Sequence, residues 1–194
     1  KGTIQMPGWG GGANWYGAGF DLETGYLYVP SRTNPISVVL EKADPERSDF
    51  NYRRGRSGLR GPQGFPLVKP PYSRLTAIDL STGEHAWQVT LGDGPRQRLI
   101  EMGVSDPGPL GGGPFTGPLV TRTLLFLGVG GDRRSTQSPV LNAFDKATGE
   151  IVHAVDLPAT LTGTPMTYMA GGKQYIVAAF GSAAESGLVA LALP

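Results

Sequence analysis

Apolar and polar residues alternate into Ala77-Ile78-Asp79, the chain turns on Ser81-Thr82-Gly83, and it resumes as Glu84-His85-Ala86-Trp87. Period-two alternation on both sides of a glycine turn predicts a strand, a tight turn and a second strand. Glycine supplies the positive-φ position, and the aspartate can accept amide hydrogens of the turn. The phrase returns at 141–153, LNAFDKATGEIVH, with Ala143, Asp145, Thr148 and Gly149 at matching offsets. A third Asp-x-x-Thr-Gly turn, at residues 21–25, precedes Tyr26-Leu27-Tyr28-Val29. Recurrence of one phrase between apolar runs is the mark of a β-repeat protein.

Strands follow from the same pattern. One unit takes 15–20, 26–30, 74–79 and 84–91, and a second takes 117–121, 124–129, 139–145 and 150–156. A third has 164–169, 174–179 and 187–193. The run 124–129 is continuously apolar, which predicts a strand buried on both faces. The fold class is therefore all-β, a β-propeller of about two and three-quarter four-stranded blades at 14–91, 115–157 and 164–193. Propellers close with four blades or more, and exposed edges at both ends invite aggregation. The expectation is a ring completed by further blades, from the same precursor or from another chain, or by two copies together.

Composition adds limits. The 194 residues suffice for one ordinary domain, and 30 Gly with 17 Pro beside 39% hydrophobic residues fit many tight turns between short strands. A net charge of +1 makes no global case for nucleic acid as partner. Absence of cysteine excludes disulfides and thiolate metal sites. No run approaches the ~18 apolar residues of a membrane helix, and the start, KGTIQMPGWG, does not read as a signal peptide. For an exported protein the signal is expected to have lain upstream or to have been removed.

Two stretches depart from the repeat. Residues 8–13 formally fit G-x-G-x-x-A, but a proline precedes them and a strand-like run follows, which argues against a dinucleotide-binding loop. This loop, with Trp9, Asn14 and Trp15, reads either as backbone that lets a planar group approach or as a loop whose tryptophans seal a core. Residues 32–73 form a long inserted loop carrying Arg53, Arg54, Arg56 and Arg60 beside Tyr52. Glu41, Asp44, Glu46 and Asp49 precede that cluster, so it is expected to be a solvated loop; covering a pocket or meeting a redox partner stays open. His85 and His153 are expected to be packing residues, and Asp21, Asp79 and Asp145 structural turn residues. No Walker loop, H-E-x-x-H or G-x-S-x-G motif is present.

The segment Ala77-x-Asp79-x-x-x-Gly83-x-x-x-Trp87 resembles the tryptophan-docking motif of the quinoprotein dehydrogenases, eight-bladed propellers carrying pyrroloquinoline quinone (PQQ). The likeness extends through GGANWYGAGFDLETGYLYVP, KPPYSRLTAIDLSTGEHAW, GDGPR, GPLVT, LNAFDKATGE and GTPMTYMAGGKQYIVAAFG to the C-terminal part of the sugar/alcohol branch, close to the membrane-type glucose dehydrogenases. In that family the motif's Trp wedges against the neighbouring blade. The second copy here ends in His153, which implies a weaker or rearranged dock.

The resemblance implies oxidation of a sugar or alcohol by hydride transfer to PQQ, with electrons passing to ubiquinone or a cytochrome, in the periplasm. It also leaves room for membrane association through a preceding part. It maps cofactor contacts onto Asn14 and Trp15, and onto Phe115 and Thr116, where alcohol-oxidising members have Trp-Gly-Gly. The general base and the Ca²⁺ ligands are expected outside this chain, so no catalytic or metal residue is assigned within it. The alternative is a non-catalytic propeller scaffold of the outer-membrane assembly factor type.

Overall fold

Each Asp-x-x-Thr-Gly phrase folds as the same side-chain-stapled turn. Asp21 accepts the Glu23 amide at 3.1 Å and the Thr24 hydroxyl at 2.9 Å. Asp79 accepts the Ser81 amide at 2.8 Å, and Asp145 accepts the Ala147 and Thr148 amides at 2.8 and 2.9 Å. The closing glycine donates back to the aspartate carbonyl each time, at 2.9, 2.7 and 2.9 Å for Gly25, Gly83 and Gly149. Short polar side chains that bond their own backbone favour such turns over continued strand.

The computed structural model describes residues 2–14, 16–55, 59–131, 137–182 and 185–192. In chain order the strands are β1 (Thr3–Gln5), β2 (Gly19–Phe20), β3 (Tyr26–Arg32), β4 (Ile36–Val38), β5 (Leu40–Lys42), β6 (Tyr52–Arg54), β7 (Ser73–Asp79), β8 (His85–Thr90), β9 (Leu119–Val120), β10 (Leu124–Val129), β11 (Val140–Asp145), β12 (Ile151–Asp156), β13 (Met166–Ala170), β14 (Lys173–Gly181) and β15 (Ser186–Ala192). A short helix α1 (Arg96–Glu101) lies between β8 and β9. Two compact units result, one of Lys1–Gly12 with Thr33–Lys69, the other of Ala13–Arg32 with Pro70–Pro194.

The larger unit holds three antiparallel sheets, β2-β3-β7-β8, β9-β10-β11-β12 and β13-β14-β15. They coincide with the three predicted blades. The registers of β7–β8 and β11–β12 shift at the same place, after Ala77 and after Ala143.

Alternation decides which face meets which blade. Tyr28, Leu75 and Ala77 of the first sheet pack with Leu125, Leu127, Val129 and Phe144 of the second. The opposite face of the second sheet packs Leu141 and Phe126 with Ile176, Ala178 and Phe180 of the third. So β10 is apolar throughout because both of its faces are covered, as its pattern predicts. Each fully buried Leu contributes ~1.5–3 kcal/mol.

Three side chains of the first blade, two donors and one acceptor, converge on one residue of the second. Trp87 Nε1 donates to the Lys146 carbonyl at 2.9 Å, and the Tyr28 hydroxyl to the same oxygen at 3.3 Å. Lys146 Nζ donates to Asp21 Oδ2 at 2.7 Å, with both side chains almost fully buried. Burial pushes the Asp21 carboxyl up, but hydrogen bonds from Lys146, Thr24 and the Glu23 amide, with the lysine charge, hold it below the ordinary carboxylate value. Burial above all pushes the Tyr28 phenol up to about 12.

The smaller unit corrects one expectation. The inserted stretch is not only loop, because β4 pairs with β1, and β5 with β6. Arg53 is ion-paired to Glu41 at 2.9 Å with both side chains well exposed, and Arg54 sits over the Trp9 ring at 5.3 Å. Arg56 lies outside the described residues. The glycine loop after β1 closes as a turn, Gly11 donating to the Gly8 carbonyl at 2.9 Å, with no helix following. A dinucleotide loop is thereby excluded.

Both histidines are a second correction. His85 and His153 are exposed on the outermost strands of their sheets, so neither packs a core.

Candidate functional site

The innermost strands β2, β9 and β13 are each entered from a short irregular segment, and these segments converge at one end of the larger unit. Gly117, just before β9, brings this about. A Cβ there would overlap the Tyr16 carbonyl oxygen and the Thr164 hydroxyl, so only glycine lets the three segments touch. Gly19 of β2 lies as tightly on Val120 and Pro118. The backbone approach thus places Tyr16 of the first blade beside Phe115 and Gly117 of the second.

Phe115 is anchored by bridge pairing to Val129 and is buried in the core between the first two blades. Its ring centroid lies 4.9 Å from that of Tyr16, at a tilt of 51°. Thr116 is buried, and its hydroxyl is engaged at both ends. It donates to the Gly117 carbonyl at 3.0 Å and accepts the Gly128 amide at 3.0 Å. Arg32, the last residue of β3, places its guanidinium carbon 5.2 Å from the Tyr16 centroid and 4.7 Å from that of Phe115. Its Nη2 also donates to the Tyr16 hydroxyl at 3.0 Å.

Of the residues assigned from sequence, Asn14 is exposed on the segment that leads into Tyr16, and Phe115 and Thr116 stand on the facing segment. Trp15 lies outside the described residues. Tyr16 and Arg32 were not singled out by the sequence pattern. Register brings their segments together, since continuing the pairing Gly19↔Tyr28 outward by three residues sets Tyr16 opposite Ser31, the neighbour of Arg32. Among the described residues no group of three or more His, Asp or Glu side chains gathers as a metal site.

A planar cofactor bearing acid and quinone oxygens needs flat walls and N–H donors. Tyr16 supplies a ring at the surface, backed by the buried Phe115, Arg32 a planar cation, and Asn14 a primary amide. The residues present fit such a group.

Comparison with known proteins agrees. A family model described as glucose/ethanol/alcohol dehydrogenase, β-propeller domain, of the PQQ type, matches residues 1–176. The chain is 31% identical to the quinate/shikimate dehydrogenase (quinone) of Acinetobacter baylyi, over 95% of this chain and 25% of that protein. It is 28% identical to the glycerol dehydrogenase large subunit of Gluconobacter thailandicus, over 91% of this chain and 27% of that one. Among solved structures, the quinohemoprotein alcohol dehydrogenase of Comamonas testosteroni superposes with a TM-score of 0.58 at 26% identity, covering 93% of this chain and 24% of that one. The chain therefore spans about a quarter of the length of these relatives. With a matching family model over most of its length, and blades docked as the tryptophan motif requires, this chain belongs to the PQQ-type glucose/ethanol/alcohol dehydrogenase β-propeller family.

Proposed function

We propose that this chain forms two complete blades and most of a third, at the C-terminal end of a PQQ-dependent dehydrogenase that oxidises a sugar or another polyhydroxylated alcohol. The observation that carries the reading is the convergence of Tyr16, Gly117 and Thr164 at one end of the blades, inside a chain of this family. When bound, PQQ would supply the acceptor for the hydride leaving the substrate's C–H bond.

This chain's own residues serve the cofactor's surroundings. Asn14 would hold it from the first blade, its amide donating to an oxygen of the cofactor and polarising it; Trp15, assigned by the same resemblance, lies outside the described residues. Phe115 forms part of the wall from the second blade. Thr116, with its hydroxyl bonded within the blade, fixes Phe115 and Gly117 in place. The general base and the Ca²⁺ ligands come from outside this chain.

Further blades complete the ring. Two features support this reading. One face of the third sheet carries Met166 opposite Val177, Tyr168 opposite Tyr175 and Leu188 opposite Ala179, and Leu188 is 73% exposed. Gly83 occupies the place in the first blade that Gly149 has in the second, yet a Cβ on Gly83 would meet nothing within 4 Å, whereas Gly149 lies against Trp87. An apolar sheet face and an uncovered docking turn suit a neighbouring blade on each side.

The reading also includes a periplasmic location and transfer of electrons to a quinone or a cytochrome, acceptors named for two relatives. No helix among the described residues is long and apolar enough to cross a membrane. The test is reconstitution of the intact protein with PQQ and Ca²⁺, followed by dye reduction with glucose, glycerol or quinate. Turnover that requires PQQ supports the dehydrogenase. A closed ring without PQQ-dependent turnover supports the scaffold alternative.

A further inference from the structure

We propose that Arg32 is a carboxylate clamp at this site, taking an acid group of the bound cofactor or an acid group on the substrate. The inference rests on the dehydrogenase reading above and goes beyond it by assigning a charged recognition residue to this chain.

Four other cations among the described residues have acid partners: Arg53 with Glu41, Arg96 with Asp106, Arg122 with Glu23, and Lys146 with Asp21. Arg32 has no carboxylate within ion-pair distance among the described residues. Its neighbours are two aromatic faces and one phenol oxygen. Rings over a guanidinium displace water while using none of its N–H donors, which lie in the guanidinium plane. One of five donors is occupied by Tyr16, and the others form a planar fork that matches a carboxylate bidentately.

Position completes the argument. Arg32 ends β3 at the converging end of the blades, and it touches Phe115 directly. Tyr16 stands two residues from Asn14. A purely structural pin needs the cation's stem and charge over the rings, whereas a clamp needs the fork itself. The two roles therefore separate in the lysine variant.

The experiment uses the intact protein with Ca²⁺. PQQ affinity is read from quenching of tryptophan fluorescence, and substrate recognition from KM for glycerol and from quinate acting as substrate or as inhibitor of glycerol oxidation. R32Q is expected to weaken one acid-bearing ligand by about tenfold or more, the loss of a bidentate charged contact. Weaker PQQ binding identifies the cofactor's acid group as the occupant. Unchanged PQQ binding, with quinate weakened and the KM for glycerol unchanged, identifies the substrate's acid group. R32K, which keeps charge without the fork, should recover only part of the loss and melt like wild type. If R32K binds PQQ and quinate within about twofold of wild type, whatever R32Q does, the fork is not used and the inference is overturned. Failure of the wild-type protein to bind PQQ would instead overturn the dehydrogenase reading.

Discussion

Gly149→Ala isolates the tryptophan dock. Gly149 has φ +76°, and an added Cβ would stand 2.6, 2.8 and 3.0 Å from three atoms of the Trp87 ring. The ring cannot retreat without stretching its 2.9 Å bond to the Lys146 carbonyl. Gly25 is the matched reference, because it closes the same kind of turn at φ +75° with nothing within 4 Å of an added Cβ. Gly25→Ala should therefore cost only the left-handed backbone term, ~1–2 kcal/mol. Gly149→Ala should cost that plus ~1–3 kcal/mol of overpacking. Urea unfolding of the intact protein, followed by tryptophan fluorescence, reads both. Equal losses at the two positions would refute the dock. Gly83→Ala at φ +77° then reports on the missing neighbour. It should resemble Gly149→Ala where a preceding blade lays an indole on that turn, and Gly25→Ala where none does.

The buried pair of Asp21 and Lys146 gives the next expectations. Lys146→Met leaves the carboxylate buried without its cation and should cost ~3–5 kcal/mol, while the double variant Asp21→Leu/Lys146→Met should recover most of that loss in the same unfolding assay. Because the folded Asp21 carboxyl lies below its ordinary 3.8, its contribution is present in full at neutral pH and is lost as pH falls below about 4. Asp79, held low by the Ser81 hydroxyl and amide, acts in the same direction, so Asp21→Asn should remove part of the acid sensitivity seen in a pH-dependent melt. Gly117→Ala should push Tyr16 and Thr164 away from 115–117 and weaken PQQ binding by about tenfold or more, read by fluorescence titration.

The blades were legible because their signals are local and repeated. The Asp-x-x-Thr-Gly turn fixes each hairpin by its own hydrogen bonds, and β10 advertised two covered faces through its unbroken apolar run. β1 and β6 gave no such signal, since all their residues are exposed and no apolar alternation marks them. Helix α1 has six residues and buries none, so no stripe marks it among the glycines and prolines of its loop. His153 misled through its alignment with Trp87, because a sequence offset does not reveal whether a facing turn is there to receive the side chain. Arg32 was hidden for another reason. Its importance comes from strand register and from Phe115, far away in sequence.

The most direct test of the central claim, that this end of the blades forms part of a PQQ site, is titration of the intact protein with PQQ in the presence of Ca²⁺, for wild type and Asn14→Ala. The account predicts near-stoichiometric uptake by wild type, with affinity about tenfold or more lower when the amide donor is removed. Identical titrations for the two proteins, or no uptake by either, would contradict it.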